Sequence, residues 1–285
     1  MKRVQPFTII YEDERIAAVN KAPGVSVGGD RWDDSREGLD RLLAAFLRER
    51  AEAAAASSGR TFEGPAVRLW TVHRIDKDTS GLVIFAKDRE THRLLSQSFE
   101  DRQVEKRYIA VVHGRPPWDE TSCDLPLVPN GNKQHLTIID KYRGKKSFTC
   151  FRLLGGAGNY SVLEARPETG RTHQIRVHAR ALGFPIVCDS LYGNDKPVLL
   201  SSFKKNWRGD PPDEKPLLAR LGLHAAELRL PGYGADGNAE GAEMAGKANA
   251  ATEGGGLSLN APLPRDMAAL IKQMEKQGGK DIRAG

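Results

Sequence analysis

The chain has 285 residues, with 43 Lys and Arg against 37 Asp and Glu, a formal net charge of +6 and 39% hydrophobic residues. A chain of this length buries a sizeable core, no apolar run approaches the roughly 18 residues of a membrane span, and the basic balance favours a polyanionic partner without identifying one. Cys123, Cys150 and Cys188 are widely spaced with no CxxC pair, which argues against a disulfide framework or structural zinc and fits a reducing, cytoplasmic setting. The opening MKRVQPFTIIYEDER has too short an apolar run for a signal peptide.

Phe7–Tyr11 and Arg15–Asn20 read as strands joined by the acidic turn Glu12-Asp13-Glu14. Lys21-Ala22-Pro23-Gly24 breaks regularity, because proline fixes φ and glycine frees it. Lys21 stands open as a phosphate contact or a solvated loop lysine. Ser35–Ala56 predicts an amphipathic helix, with Leu39, Leu42, Leu43, Phe46 and Leu47 on one face. Trp70 is expected in the core.

His73–Lys87, HRIDKDTSGLVIFAK, is the stretch around which the rest is organised. His73, Arg74 and Asp76 place two potential cations and a carboxylate within four residues. Lys77 to Gly81 is turn chemistry, since Asp, Ser and Thr hydrogen-bond their own backbone and Gly81 accepts a positive φ. Leu82–Ala86 has strand length. Asp76 is either a simple turn former or a carboxylate presented by a tight loop.

Asp88 is placed to cap a helix running to about Asp101, with Leu94, Leu95 and Phe99 inward. Lys106–Gly114 is a strand with Lys106 and Arg107 at its entrance and Tyr108, Ala110 and Val112 on one face. An aromatic beside two cations suits a base to be stacked, and a core tyrosine is the competing role. His135–Lys141, Lys146–Leu154 and Tyr160–Arg166 read as strands in hairpin order, with turns at Asn130-Gly131, Arg143-Gly144 and Gly155-Gly156, so the sheet is at least partly antiparallel.

In Arg166–Gly183, Thr172 is the expected cap of a helix ending at Gly183, which puts Arg171 at a loop-to-helix junction. Ile175, Ala179 and Leu182 would be buried, and Arg176 and Arg180 exposed. His173 and His178 are five apart, so no metal is expected there. Phe184–Cys188 reads as a short strand. The long connection Lys196–Leu221 carries Lys204, Lys205, Trp207 and Arg208, an RNA contact or a solvated loop. Gly222–Leu230 is a late strand, residues 232–256 a low-complexity flexible insertion, and Asn260–Gln277 a closing helix. There is no internal repeat and no separate N-terminal module, so residues 1–285 are expected to form a single domain.

Four stretches, HRIDKDTSGLVIFAK, EKRYIAVVHG, RPETGRTHQIRVHARALGFPIVCDSLYG and LGLHAAELRL, resemble in order the signature segments of the RluA-type pseudouridine synthases. YEDERIAAVNKAPG resembles the opening of that family's catalytic domain, and the resemblance covers most of residues 7–231. It implies an α/β (α+β) pseudouridine-synthase fold: a mixed, mostly antiparallel sheet with packed helices and a central catalytic cleft. It also implies isomerisation of uridine in structured RNA, ribosomal RNA or tRNA, with neither metal nor organic cofactor. Asp76 matches the family's catalytic carboxylate, Tyr108 the tyrosine that stacks on the target base, and Arg171 the arginine that pairs with the carboxylate. Arg74 resembles the arginine that helps displace the nucleotide, and Ile175 the apolar residue beside the base; His73 and Lys21 are further candidate substrate contacts. An arginine within about 4–6 Å lowers a carboxylate pKa by roughly 1–3 units, which keeps an Asp charged in a dry pocket. Many members carry a small RNA-binding domain before the catalytic one; this chain is expected to lack it and to be a monomer.

Two other readings compete. A glycoside hydrolase using Asp76 needs a second carboxylate about 5–9 Å away, for which Glu168 is the candidate. A non-catalytic RNA-binding or chaperone protein on the same fold needs no chemistry at Asp76.

Overall fold

A computed structural model describes residues 5–29, 37–59, 61, 64, 67–129, 136–233, 250–253, 256–278 and 282. In chain order the elements are β1 (Phe7–Glu12), β2 (Ile16–Lys21), α1 (Leu39–Ser57), β3 (Trp70–Thr71), β4 (Ser80–Ala86), α2 (Arg89–Glu100), β5 (Glu105–His113), β6 (Glu120–Cys123), β7 (Leu127–Pro129), β8 (Thr137–Ile139), β9 (Thr149–Ala157), β10 (Tyr160–Pro167), α3 (Gln174–Ala181), β11 (Leu223–Leu230), β12 (Ala250–Glu253), β13 (Gly256–Asn260) and α4 (Arg265–Gly278). The fold is α/β, with mixed, mostly antiparallel strands and packed helices. The chain divides into two compact units: residues 1–77, 81–104 and 229–261, and residues 78–80, 105–228 and 262–285.

In the first unit, β2 pairs antiparallel with β1 and with β4, in a register that sets Ile16 against Ala86 and Lys21 against Gly81. All of β4 is buried, which explains its unbroken apolar run. Gly81 does adopt φ +115°, open to glycine alone without strain. The acidic turn closes on Asp13, whose carboxylate accepts from the backbone N–H of Arg15 and Ile16 and from the hydroxyls of Tyr11 and Tyr233. Helix α1 starts at Leu39, not Ser35, which lies outside the described residues; Gly38 is its N-cap, and Leu39, Leu43 and Leu47 are buried. Asp88 caps α2 through Thr91 N–H (2.8 Å), as expected. Leu94 is a correction: it is 43% exposed, while Leu95 carries the buried face. Trp70 is only half-buried, under the Arg68 guanidinium at 5.1 Å from the ring.

In the second unit, β5, β10, β9 and β6 follow one another antiparallel, and β11 lies beside β5. Alternation along β5 feeds two cores. Ile109 and Val111 join Val162, Met267 and Leu270 on one face, while Tyr108, Ala110 and Val112 join Phe151, Leu163 and Ile175 on the other.

Several expectations need correction. Gly155-Gly156 is not a turn but lies inside β9, and the chain reverses at Gly158 (φ +57°). The glycines serve close approach instead: a Cβ on Gly155 would come within 2.9 Å of Ile282, and Gly278 of α4 sits against the Gly156 carbonyl. Phe184–Cys188 forms one bridge, Ile186 to Val112, and no strand, because Cys188 turns left-handed at φ +55°. Arg176 is buried rather than exposed. Within the 196–221 connection, Val198 pairs with Leu218, and Val198, Phe203 and Leu218 are buried. Of the expected insertion at 232–256, residues 234–249, 254 and 255 lie outside the described residues, as does the Asn130-Gly131 turn. The closing helix forms as α4.

Candidate functional site

Asp76 is half-buried on the loop before β4, between exposed Arg74, buried Ile75 and the Lys77-Asp78 turn. Both flanks of Asp76 are fastened. Upstream, His73 Nε2 accepts the Ile84 N–H at 3.1 Å, and its ring stacks on Phe99 at 4.7 Å. Downstream, the Lys77 carbonyl accepts two hydrogen bonds, from Lys21 Nζ and from Gly24 N–H, both 2.8 Å.

Lys21 is therefore no solvated loop lysine. It ends β2 with 0% exposure, and its ammonium donates to the Ala22 and Lys77 carbonyls. A buried cation needs such acceptors, since its desolvation is otherwise expensive. Alternation along β2 and the sharp break at Pro23 aim its side chain at the Asp76 loop.

In the second unit, half-buried Tyr108 pairs across β5–β10 with Ala165 and packs on the cluster that includes Ile175, so these two candidates share one apolar surface. Arg107, one of the two cations at the entrance of β5, is engaged: its Nε donates to Glu164 at 2.7 Å. Burial alone raises the Glu164 pKa, but hydrogen bonds from Arg107 and Arg152 outweigh it and hold the carboxyl below its usual range.

Arg171 is half-buried and its Nε donates to the Lys146 carbonyl at 3.2 Å. Thr172 does not cap α3. The N-cap is His173, left-handed at φ +54°, with no side-chain cap bond. The capping work falls to Gln174, which sequence reasoning missed. Gln174 Oε1 accepts from Arg171 N–H (3.0 Å) and Thr169 Oγ1 (2.7 Å), and its Nε2 donates to the Phe148 carbonyl and Thr149 Oγ1 (both 2.9 Å). All the usual capacity of one amide is used.

Arg176, two residues on, donates from Nε and Nη2 to Asp189 (2.8 Å each) and lies over Tyr192 at 5.1 Å. Tyr192 Oη accepts the Thr137 N–H (2.7 Å) and shares a hydrogen bond with His173 Nδ1 (2.9 Å). Among the described residues there is no group of three or more His, Cys, Asp or Glu placed to hold a metal, and no helix is long and apolar enough to cross a membrane.

The comparisons with known proteins converge. Residues 15–181 match the family model of RNA pseudouridylate synthases. The chain is 38% identical over 190 residues to a ribosomal large subunit pseudouridine synthase D of Borreliella burgdorferi, covering 66% of this chain and 55% of that protein. It thus spans little more than half of that relative's length. It is 31% identical to YlyB of Bacillus subtilis, described as an uncharacterized RNA pseudouridine synthase, over 95% of this chain and 73% of that one. In fold it is similar to human RNA pseudouridylate synthase domain containing 1, with TM-score 0.59 and 24% identity over 94% of this chain and 90% of that chain. With a matched segment that includes the loop of Asp76, the strand of Tyr108 and the turn of Arg171, the chain belongs to the RNA pseudouridylate synthase family.

Proposed function

We propose that this protein isomerises uridine to pseudouridine in structured RNA, with ribosomal RNA as the substrate class favoured by the names of its relatives. The observation that carries the reading is the Asp76 loop. A carboxylate lies half-buried in the matched family segment, with both of its flanks hydrogen-bonded in place. Preorganised positioning of this kind is what an enzyme needs to act on a base taken out of its stack.

In this reading Asp76 is the catalytic carboxylate, acting as nucleophile or base. Tyr108 stacks on the uracil, worth roughly 1–3 kcal/mol. Arg171, by its match to the family motif, is the arginine that serves the catalytic carboxylate. Arg74 aids displacement of the nucleotide, and Ile175 lines the base. Lys21 and His73 hold the loop of Asp76 rather than touching RNA. The reaction is redox-neutral: the C1′–N1 bond breaks, a C1′–C5 bond forms, C5 loses a proton and N1 gains one. No external reactant is needed. The protein works as a cytoplasmic monomer.

The test is pseudouridine mapping of total RNA from cells with and without the gene, complemented by wild type or Asp76→Asn. Wild type restores a lost site and Asp76→Asn does not, while binding RNA with similar affinity, because phosphate contacts dominate affinity. Restoration by Asp76→Asn would overturn the mechanism and favour a binding role.

A further inference from the structure

The tip joining β8 to β9 carries an aromatic side chain that the fold does not use. Tyr142 is 99% exposed. It sits in the run Asp140-Lys141-Tyr142-Arg143-Gly144-Lys145-Lys146, four cations within six residues of one acid. All four cations are exposed. Ile138 and Ile139, 38% exposed each, extend the apolar flank of the same hairpin.

The tip is built to hold its shape. Asp140 Oδ1 accepts the N–H of Tyr142 and of Arg143, and Oδ2 accepts Arg143 Nε, each at 2.9 Å. These bonds hold the Asp140 carboxyl below its usual pKa. The Asp140 N–H donates to the Pro126 carbonyl (3.1 Å), and Leu127 and Lys145 exchange both backbone bonds (3.0 and 2.8 Å). Gly144 packs so close to Pro126 that a Cβ would lie 2.7 Å from its carbonyl carbon. The base of the hairpin rests on α3, where Leu127, Val177 and Tyr192 form one small core and Thr137 donates to Tyr192 Oη. Just past the tip, the Lys146 carbonyl accepts Arg171 Nε.

A fully solvated ring carried on a hydrogen-bonded tip has no stabilising role in the fold. Its presentation lowers the entropic cost of binding a flat partner. Asp140 is already committed within the turn, which leaves Lys141, Lys145 and Lys146 for anions. A ring to stack on and three mobile ammoniums match an unpaired nucleotide and its phosphates better than a protein surface. We infer that Tyr142 and its flanking lysines form an RNA contact, a stacking platform for an unpaired base other than the reacting uridine. This inference rests on the RNA-modifying reading above and adds a binding element to it.

Full-length wild type, Tyr142→Ala, Tyr142→Phe and Lys145→Ala/Lys146→Ala would be titrated by fluorescence anisotropy against a labelled uridine-rich stem-loop RNA over a range of salt. Their turnover would be followed on ribosomal RNA from cells lacking the gene. Tyr142→Ala should bind at least about fivefold more weakly with an unchanged melting temperature, and Tyr142→Phe within about twofold of wild type, because the ring does the stacking. The lysine double variant should flatten the slope of log K against log salt by about 1.4, at roughly 0.7 per phosphate on a single strand. In turnover, Tyr142→Ala should raise KM and leave kcat in place. If wild type binds and modifies RNA and Tyr142→Ala matches it in affinity and KM, this inference alone is overturned and the tip is left to a protein partner. If wild type neither binds nor modifies RNA, the RNA-modifying reading fails with it.

Discussion

Gln174 Oε1 accepts the Arg171 backbone N–H at 3.0 Å, and that bond ends a buried polar chain that begins at the Leu125 carbonyl. Leu125 O only accepts, so His178 Nε2 carries the proton there, and His178 Nδ1 accepts from Thr149 Oγ1 (3.0 Å). Thr149 Oγ1 in turn accepts from Gln174 Nε2. Every donor along this path has an acceptor, the condition under which a buried polar network stiffens a structure instead of weakening it. The turn that carries Arg171 is thereby tied to β9 and α3.

Gln174→Leu removes four hydrogen bonds and orphans the Arg171 N–H and the Thr169 O–H, while the Phe148 carbonyl keeps the Glu168 N–H (3.1 Å). Buried orphans cost about 1–3 kcal/mol each, so a loss of roughly 3 kcal/mol is expected after relaxation, or about 5–10 °C in melting temperature for a chain of this size. Turnover should fall about tenfold or more in kcat at temperatures where the variant is still folded, with little change in KM. Thermal unfolding and steady-state kinetics on the same preparation check both numbers.

Lys21→Met separates positioning from phosphate binding. Methionine keeps the apolar stem and removes the ammonium, so the Lys77 carbonyl retains only the Gly24 N–H. The loss of hydrogen bonds from a charged group, about 1.5–3 kcal/mol, should appear in kcat while RNA affinity stays within about twofold. A phosphate contact would instead weaken binding and flatten the salt dependence by about 0.7–0.9. Single-turnover rates and salt-dependent binding tell the two apart.

Acid should destabilise the fold in two stages. Burial depresses the pKa of His178, and of His113, below the usual 6.5, against smaller opposing effects at His178. The unfolded chain therefore takes up protons first as pH falls below about 6.5, and stability drops from there until the folded imidazoles also titrate. Glu164, whose pKa is lowered, contributes stability that is complete above its unfolded value of 4.5 and is lost as pH falls through the folded value. Urea unfolding between pH 7.5 and 4 should show midpoints that decline on acidification, and a midpoint that rises through pH 6 would contradict a buried neutral His178.

Glu164→Gln tests the arginine cluster directly. The carboxylate is 2% exposed, accepts from Arg107 (2.7 Å) and Arg152 (3.0 Å), and is ion-paired with Arg166 at 2.9 Å. Breaking a buried ion pair by removing one partner costs about 3–5 kcal/mol, and the half-exposed Arg152 and Arg166 place the expected loss at the low end. Because Arg107 of the cluster sits on β5 one residue from Tyr108, RNA affinity should fall together with stability. Chemical unfolding and anisotropy binding on the purified variant measure the pair.

The sequence by itself determined the chemistry-bearing segments and the local elements. The HRIDKDTSG loop, the strand of Tyr108, the Asp88 cap and the closing helix are all legible because each depends on residues a few positions apart: turn formers, strand alternation, helical spacing. The tertiary structure decided what long-range pairing decides. Lys21 reads as a loop cation until its ammonium meets a carbonyl 56 residues away. Arg176 reads as an exposed helical arginine until Asp189 pairs with it in the core. Gly155 and Gly156 read as a turn until Ile282 and α4 explain the missing side chains. Gln174 reads as an ordinary helical glutamine until the Phe148 carbonyl and Thr149 Oγ1, 26 and 25 residues away, meet its amide. In each case the deciding energy is the cost of burying a polar group or a volume, and that cost falls on a residue only when the chain has brought distant segments over it.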